Sequence, residues 1–221
     1  MLAFLHTSPV HVETFQHLVS EVDSTIPIRH EVREQLLARV RAAGAMTEAV
    51  RTEVADAIRM LAGDGAKLIV CTCSTIGAIA EAAPVSEGVL VMRIDRPMAE
   101  QAVASGRRII VLAALASTLA PTMGLVREVA ARAGRTVDVL EVLSETAWPF
   151  FERGAHADYA AEIARTIEAV ARPGDLVLLA QASMAPSADV ARHLNIPILS
   201  SPRLGVEAAL ARYRAMARLH P

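Results

Sequence analysis

The amino-acid sequence predicts an α/β protein of two pseudo-symmetric lobes with mainly parallel sheets. Short apolar runs rich in β-branched residues alternate with helix-favouring segments along the whole chain, the pattern of parallel strands joined by right-handed helical crossovers. An internal repeat points the same way. Residues 174–184 echo residues 66–76, with Cys73 matched to Gln181 at an offset of 108 (181 − 73) and Thr75 matched to Ser183. Residues 97–104 and 25–32 find looser echoes in 202–209 and 136–143, in the same order. Polar residues also gather where predicted strands end: Thr7 and Ser8, Cys73, Ser74 and Thr75, Ser117 and Thr118, Gln181 and Ser183. Two similar halves imply an active-site cleft between the lobes, each offering a carboxyl strand end, where open α/β sheets bind ligands.

Taken in order, residues 2–5 read as the first strand, ending at His6, and a helix follows over 12–22. The next strand spans 26–32 and the next helix 33–43. A helix over 47–62 takes Thr47 as its N-cap and is closed by Gly63 and Gly65. The apolar run 67–71 reads as a buried parallel strand, placing Cys73 and Ser74 at its carboxyl end and in the first turn of a helix. Residues 89–94 form a fourth strand, and Pro97 opens a helix that ends at Gly106. The second half starts with strand 108–113, after which Leu119, Met123, Val126 and Ala130 share one helical face. Strand 137–142 is followed by a helix marked by Ile163, Ile167 and Val170, then by strands 176–180 and 196–199 and a closing helix over 206–219. The lobes are expected as 1–95 plus 205–221, and 96–204.

Composition narrows the function classes. A formal charge of −2 with both signs interspersed gives no footprint for nucleic acid or an anionic membrane. No apolar stretch reaches the roughly 18 residues of a membrane span, and the amino terminus lacks a basic segment followed by an apolar signal core. The only two cysteines, Cys71 and Cys73, form neither a disulfide framework nor a zinc site, so a reducing cytoplasm is the natural setting. No Gly-x-Gly-x-x-Gly follows the first strand, and Walker A and Gly-x-Ser-x-Gly motifs are absent, which disfavours dinucleotides, triphosphates and a serine nucleophile elbow. Aromatics are 3% of the chain, so Trp148, Phe150 and Phe151 around Pro149 stand out, either over a pocket mouth or in packing. Assembly into a homo-oligomer stays open.

The strand-end residues suit a small carboxylate. Hydroxyls and helix-start N–H groups hydrogen-bond an anion without a buried cation, although Ser and Thr also serve as ordinary N-caps. A helix start favours thiolate over thiol, so Cys73 is expected to be accessible and more acidic than an ordinary thiol near ~8.5. Cys71, two residues earlier, is further from the open end and is expected in the core.

Cys73-Ser74-Thr75, the Ser117-Thr118 turn, residues 95–100 and the duplicated layout resemble the aspartate/glutamate (hydantoin) racemase superfamily over nearly the whole chain. The resemblance implies two α/β lobes, no cofactor, no metal, and proton transfer beside the carboxylate of a small amino or organic acid. Racemisation, isomerisation and decarboxylation all occur in the superfamily. Its racemases use one cysteine per lobe on opposite faces of the reacting carbon. Cys73 matches the first, as base or nucleophile. Thr75, Ser117 and Thr118 match carboxylate-binding positions, with Thr7, Ser8, Ser74 and Ser183 beside them. The second cysteine is missing, and Gln181 stands at its position. His6, at the end of the first strand, is an alternative second acid–base group or a structural residue. The competing function is a non-catalytic protein that binds or senses a small carboxylate.

Overall fold

In the computed structural model, which describes residues 1–219, the chain folds as two compact units. One comprises Met1–Ile94 with the helix from Pro202 onward, the other Asp95–Ser201. Residues 220 and 221, which the sequence reading assigns to the first lobe, lie outside the described residues. The first unit begins with β1 (Leu2–His6), α1 (Val10–Asp23), β2 (Ile28–Val32), α2 (Glu34–Ala43) and α3 (Glu48–Gly63), then β3 (Leu68–Cys71), α4 (Ser74–Glu81) and β4 (Leu90–Arg93). The second contains α5 (Arg96–Ser105), β5 (Arg108–Ala113), α6 (Ala116–Arg132), β6 (Asp138–Leu143), α7 (Trp148–Glu152), α8 (His156–Val170), β7 (Asp175–Leu179), α9 (Ser187–Val190) and β8 (Ile198–Ser200). The chain then returns to the first unit as α10 (Ser201–Leu219).

Each unit is built on a four-stranded, all-parallel sheet, in the order β2-β1-β3-β4 and β6-β5-β7-β8. The second order is the first advanced by four strands, so the repeat in the sequence is a repeat of topology. Register makes the match residue by residue. Leu5 pairs with Cys71 and Leu112 with Leu179. Thr72 N–H donates to the Leu5 carbonyl (3.0 Å) and Ala180 N–H to the Leu112 carbonyl (2.9 Å). Cys73 and Gln181, the next residues along, occupy equivalent strand ends.

Strands β1, β3 and β7 are buried at every residue because helices cover both faces of a parallel sheet. In the first unit Ala3, Leu5, Ile69 and Cys71 pack with apolar residues of α2, α3 and α4. On the other face Phe15 of α1 meets Phe4 at 5.4 Å. Helix α10 is tied to α1 by Arg203–Glu21 (2.6 Å) and Arg214–Asp23 (2.7 Å). In the second unit Ile110, Leu112, Val177 and Leu179 pack on Tyr159, Ile163 and Ile167 of α8. Thr47 caps α3 as expected, its hydroxyl accepting from Val50 N–H (3.3 Å).

Several boundaries differ from the sequence reading: the closing helix starts at Ser201 rather than 206, and two strands start late, each after a proline. β2 and β8 start at Ile28 and Ile198, after Pro27 and Pro197, which lack a ladder N–H. Both prolines still accept through their carbonyls, from Leu2 N–H (3.1 Å) and Val177 N–H (2.9 Å). Another proline, Pro186, marks where the two halves part. Where α4 continues for eight residues after Cys73, the chain after Gln181 makes only a 3₁₀ turn over Ala182–Met184 before Pro186 interrupts it.

Candidate active site

Cys73 is the N-cap residue of α4 and is half-buried. The hydroxyls of Thr7 and Thr75 and the backbone N–H groups of Thr75 and Ile76 lie around its Sγ and favour the thiolate, while the thiol makes no capping hydrogen bond to the first turn of α4. β1 supplies Thr7, β3 delivers Cys73, and the first turn of α4 supplies the rest. Ser74 and Thr75 are buried in the same turn, and Ser8 is half-buried beside Thr7. Cys71 lies in the core, its Sγ–H directed at the Cys73 carbonyl (3.6 Å).

The expected acidic thiol is not what this environment produces. Burial pushes the Cys73 thiol above its ordinary value of 9.0, and the polar groups of Thr7, Thr75 and Ile76, which favour the thiolate, offset only part of it. A helix start stabilises a thiolate it can reach with N–H groups, but taking the charge out of water costs more here. At neutral pH Cys73 is a thiol and a proton donor first. Alkylation of Cys73 by iodoacetamide in the free protein is therefore expected to rise with pH through an inflection above 9.0. An inflection near 7 would show that the amides win.

His6 does not stand as a second acid–base group. It is fully buried, with Nδ1 at 2.8 Å from the Thr72 hydroxyl and Nε2 at 2.9 Å from His30 Nδ1. Because Thr72 donates its proton to the Leu5 carbonyl (3.1 Å), the network assigns the His6 proton to Nδ1, and Nε2 accepts from His30. Both nitrogens are thus occupied inside the unit, and burial, then the positive charges His30 and His11 can carry, drives the His6 pKa down to about 3. What His6 does is join the ends of β1 and β3, the two strands that carry Thr7 and Cys73.

This buried neutral cluster sets an acid limit on stability. His11 is likewise lowered to about 4 by burial, and His30 is lowered for the same reason. Between the ordinary value of 6.5 and these folded values, the unfolded chain binds protons that the folded one does not. Stability is complete above 6.5 and falls with pH below it. At pH 5, His6 and His11 are each expected to cost about 2 kcal/mol. Chemical denaturation at pH 7 and pH 5 checks this; equal midpoints would mean that these histidines are protonated in the folded state.

The second unit presents a different arrangement. Gln181 is half-buried, and its Oε1 accepts from Ala114 N–H (2.6 Å) and Leu115 N–H (3.1 Å). Those amides belong to the turn between β5 and α6 that carries Ser117 and Thr118. Thr118 is buried, and Ser117 Oγ is buried with no hydrogen-bond partner among the described residues. No side chain caps the α6 N-terminus. Ser183 Oγ lies 3.1 Å from the hydroxyl of Tyr159, which burial holds well above the ordinary tyrosine value. Tyr159 was not singled out from the sequence, yet it stands four and eight residues before Ile163 and Ile167, on the face those residues mark.

The structure brings Thr7 and Thr75 to Cys73, and Gln181 to the turn of Ser117 and Thr118. Two arginines near predicted helix starts are engaged elsewhere, Arg96 with Glu128 (3.1 Å) and Arg203 with Glu21 (2.6 Å). Trp148, Phe150 and Phe151 pack against the core of the second unit, Trp148 stacking on Phe151 at 4.7 Å. Among the described residues no group of three or more His, Cys, Asp or Glu side chains could hold a metal ion, and no helix is long and apolar enough to cross a membrane.

Each unit is a parallel α/β sheet with polar residues at its carboxyl strand ends, a thiol in the first and the Gln181–Ser117 turn in the second. The profile of the Asp/Glu/Hydantoin racemase family matches residues 18–209, and the chain belongs to that family. It is accordingly a racemase-type enzyme, of the isomerase class. Solved structures share the fold. An aspartate racemase from Picrophilus torridus superposes with a TM-score of 0.69 at 16% identity, over 98% of this chain and 94% of that one. A glutamate racemase from Bacillus anthracis gives 0.73 at 16% identity, over 98% and 83%. An arylmalonate decarboxylase gives 0.53 at 17% identity, over 96% and 91%. A search of the curated proteins by sequence found no match.

Proposed function

We propose that this enzyme transfers a proton, without a cofactor, at the carbon next to a carboxylate of a small acid, with Cys73 as the group that gives or takes it. The observation that carries this reading is the surround of Cys73 Sγ. The hydroxyls of Thr7 and Thr75 and the N–H groups of Thr75 and Ile76 surround one thiol at a helix start. They lower the cost of the thiolate that forms when the thiol has delivered its proton, and they fix its direction. The substrate carboxylate is held by hydroxyls, Ser117 and Thr118 foremost, with Ser183. Ser117 Oγ is a buried donor still lacking an acceptor, and a buried hydroxyl gains most when such a bond is supplied.

The reaction is one-sided. Gln181 occupies the strand end equivalent to that of Cys73, and a carboxamide neither gives nor takes a proton near neutral pH. The position has also lost the helix that supports Cys73, since a three-residue 3₁₀ turn replaces α4. Isomerisation and decarboxylation need only one such group, whereas racemisation by paired thiols needs two. The two free thiols suit a reducing cytoplasm.

Proton NMR of small carboxylic acids in D2O tests this reading. Deuterium is expected to enter the position next to the carboxylate, faster as the pH rises past 9.0 and Cys73 ionises. Failure of every small amino and organic acid to exchange, decarboxylate or isomerise across pH 6–10 would overturn it.

A further inference from the structure

The way Gln181 is held bears on which acids the site accepts. Its carboxamide meets two donors from a single turn, the N–H groups of Ala114 and Leu115. Only the oxygen end of a carboxamide can accept them, so the group has one orientation, with Nε2 turned away from that turn. Nε2 has no hydrogen-bond partner among the described residues. Position 181 therefore offers two N–H donors and no acceptor. The neighbouring groups do not compensate. The turns after β5 and β7, residues 114–118 and 180–184, contain no Asp or Glu; besides Gln181 their polar side chains are the hydroxyls of Ser117, Thr118 and Ser183, and the carbonyls of Leu115, Gln181 and Ala182 already accept from Thr118, Met184 and Ala185 N–H. An ammonium group brings three N–H bonds to satisfy and a charge to offset, and this surround supplies neither carboxylate nor free carbonyl side chain for it.

We propose that Gln181 is a specificity-determining residue. It favours acids that carry a hydrogen-bond-accepting oxygen beside the reacting carbon, and it rejects acids carrying an α-ammonium. The proposal rests on the reading of Ser117 and Thr118 as the carboxylate site. Gln181→Glu is the informative substitution. One Glu oxygen keeps the bonds to Ala114 and Leu115, while the other replaces the Nε2 donors with a charged acceptor. The anchor is preserved and the sign of recognition is reversed.

The experiment is titration calorimetry of the full chain with succinate, malate and aspartate, both hands of the latter two, which differ only in an α-substituent of H, OH or NH3+. For the wild type, malate is expected to bind about tenfold tighter than either aspartate, with succinate between them. In Gln181→Glu the order is expected to reverse, at unchanged melting temperature. Equal affinity of wild type for malate and aspartate would overturn the proposal, as would a Gln181→Glu variant that weakens all three acids by one factor, the mark of a purely structural role. If none of the acids binds at millimolar concentration, the carboxylate site fails and the proposal with it. Cys73→Ser separates the two readings. It is expected to keep the wild-type order of affinities, so a failed assignment of Cys73 shows in exchange kinetics and a failed assignment of Gln181 in that order.

Discussion

Gly205→Ala is expected to lower the melting temperature by roughly 5–10 °C, the opposite of what helix propensity alone would give. Gly205 is buried within α10 where the helix crosses Ile94, at the end of β4. A Cβ there would fall well inside contact distance of both the Ile94 side chain and the Ile94 carbonyl oxygen. A side chain can change rotamer, but a backbone carbonyl moves only with the strand end that bears it. Ala gains about 1 kcal/mol over Gly in a helix interior, whereas overpacking costs about 1–3 kcal/mol and more against fixed backbone. At about 2–4 °C per kcal/mol for a chain of this size, the steric cost dominates. Gly124→Ala is the matched control. Gly124 lies within α6, exposed and with nothing within 4 Å of an added Cβ, so the same change is expected to stabilise by up to about 1 kcal/mol. Thermal unfolding of the two variants checks both signs.

Cys73→Ser is expected to reduce proton transfer by at least about 10³-fold while leaving the fold intact. A serine hydroxyl ionises far above a thiol and does not replace it as acid or base. Serine is among the preferred N-cap residues, worth about 1 kcal/mol over a poor cap, and position 73 is the N-cap of α4. Stability is therefore expected to hold or rise as activity falls. Cys71→Ala is expected to do the reverse, because Cys71 is a buried core residue on the same strand. Exchange rates beside melting temperatures for the two variants separate the roles; comparable loss of activity in both would place the chemistry elsewhere.

The fold was legible in the sequence to the extent that it depends on local pattern. Strand runs, the cap at Thr47, the punctuation by Gly106 and the repeat of 66–76 in 174–184 reflect nearest-neighbour preferences. Strand-end positions follow from them, since a strand's last buried residue also fixes its first polar one. Properties that depend on distant partners were not legible. The Cys73 thiol is governed by burial around a residue whose hydroxyl partner, Thr7, is 66 positions away (73 − 7). A helix-start argument sees only the local amides. His6 looked available because Thr72 and His30, which occupy its two nitrogens, are joined to it only once β1 lies between β2 and β3. Gln181 shows the third case. Its composition excludes a base, but its contact with Ala114 and Leu115 arises from the turn after β5, which no spacing in the sequence marks. The 3₁₀ turn after Gln181 stops before Pro186, a departure from the first half that the matching of 174–184 to 66–76 does not show.

The stereochemical course in D2O tests the one-sided role of Cys73 most directly. Each enantiomer of an exchanging acid is incubated separately with the wild type, and deuterium content and handedness are followed together by NMR and chiral chromatography. Deuterium is expected to enter while the starting hand persists, because one thiol returns the proton to the face from which it came. Racemisation of both enantiomers at rates comparable to exchange would contradict this, since it would require a second acid–base group serving the opposite face.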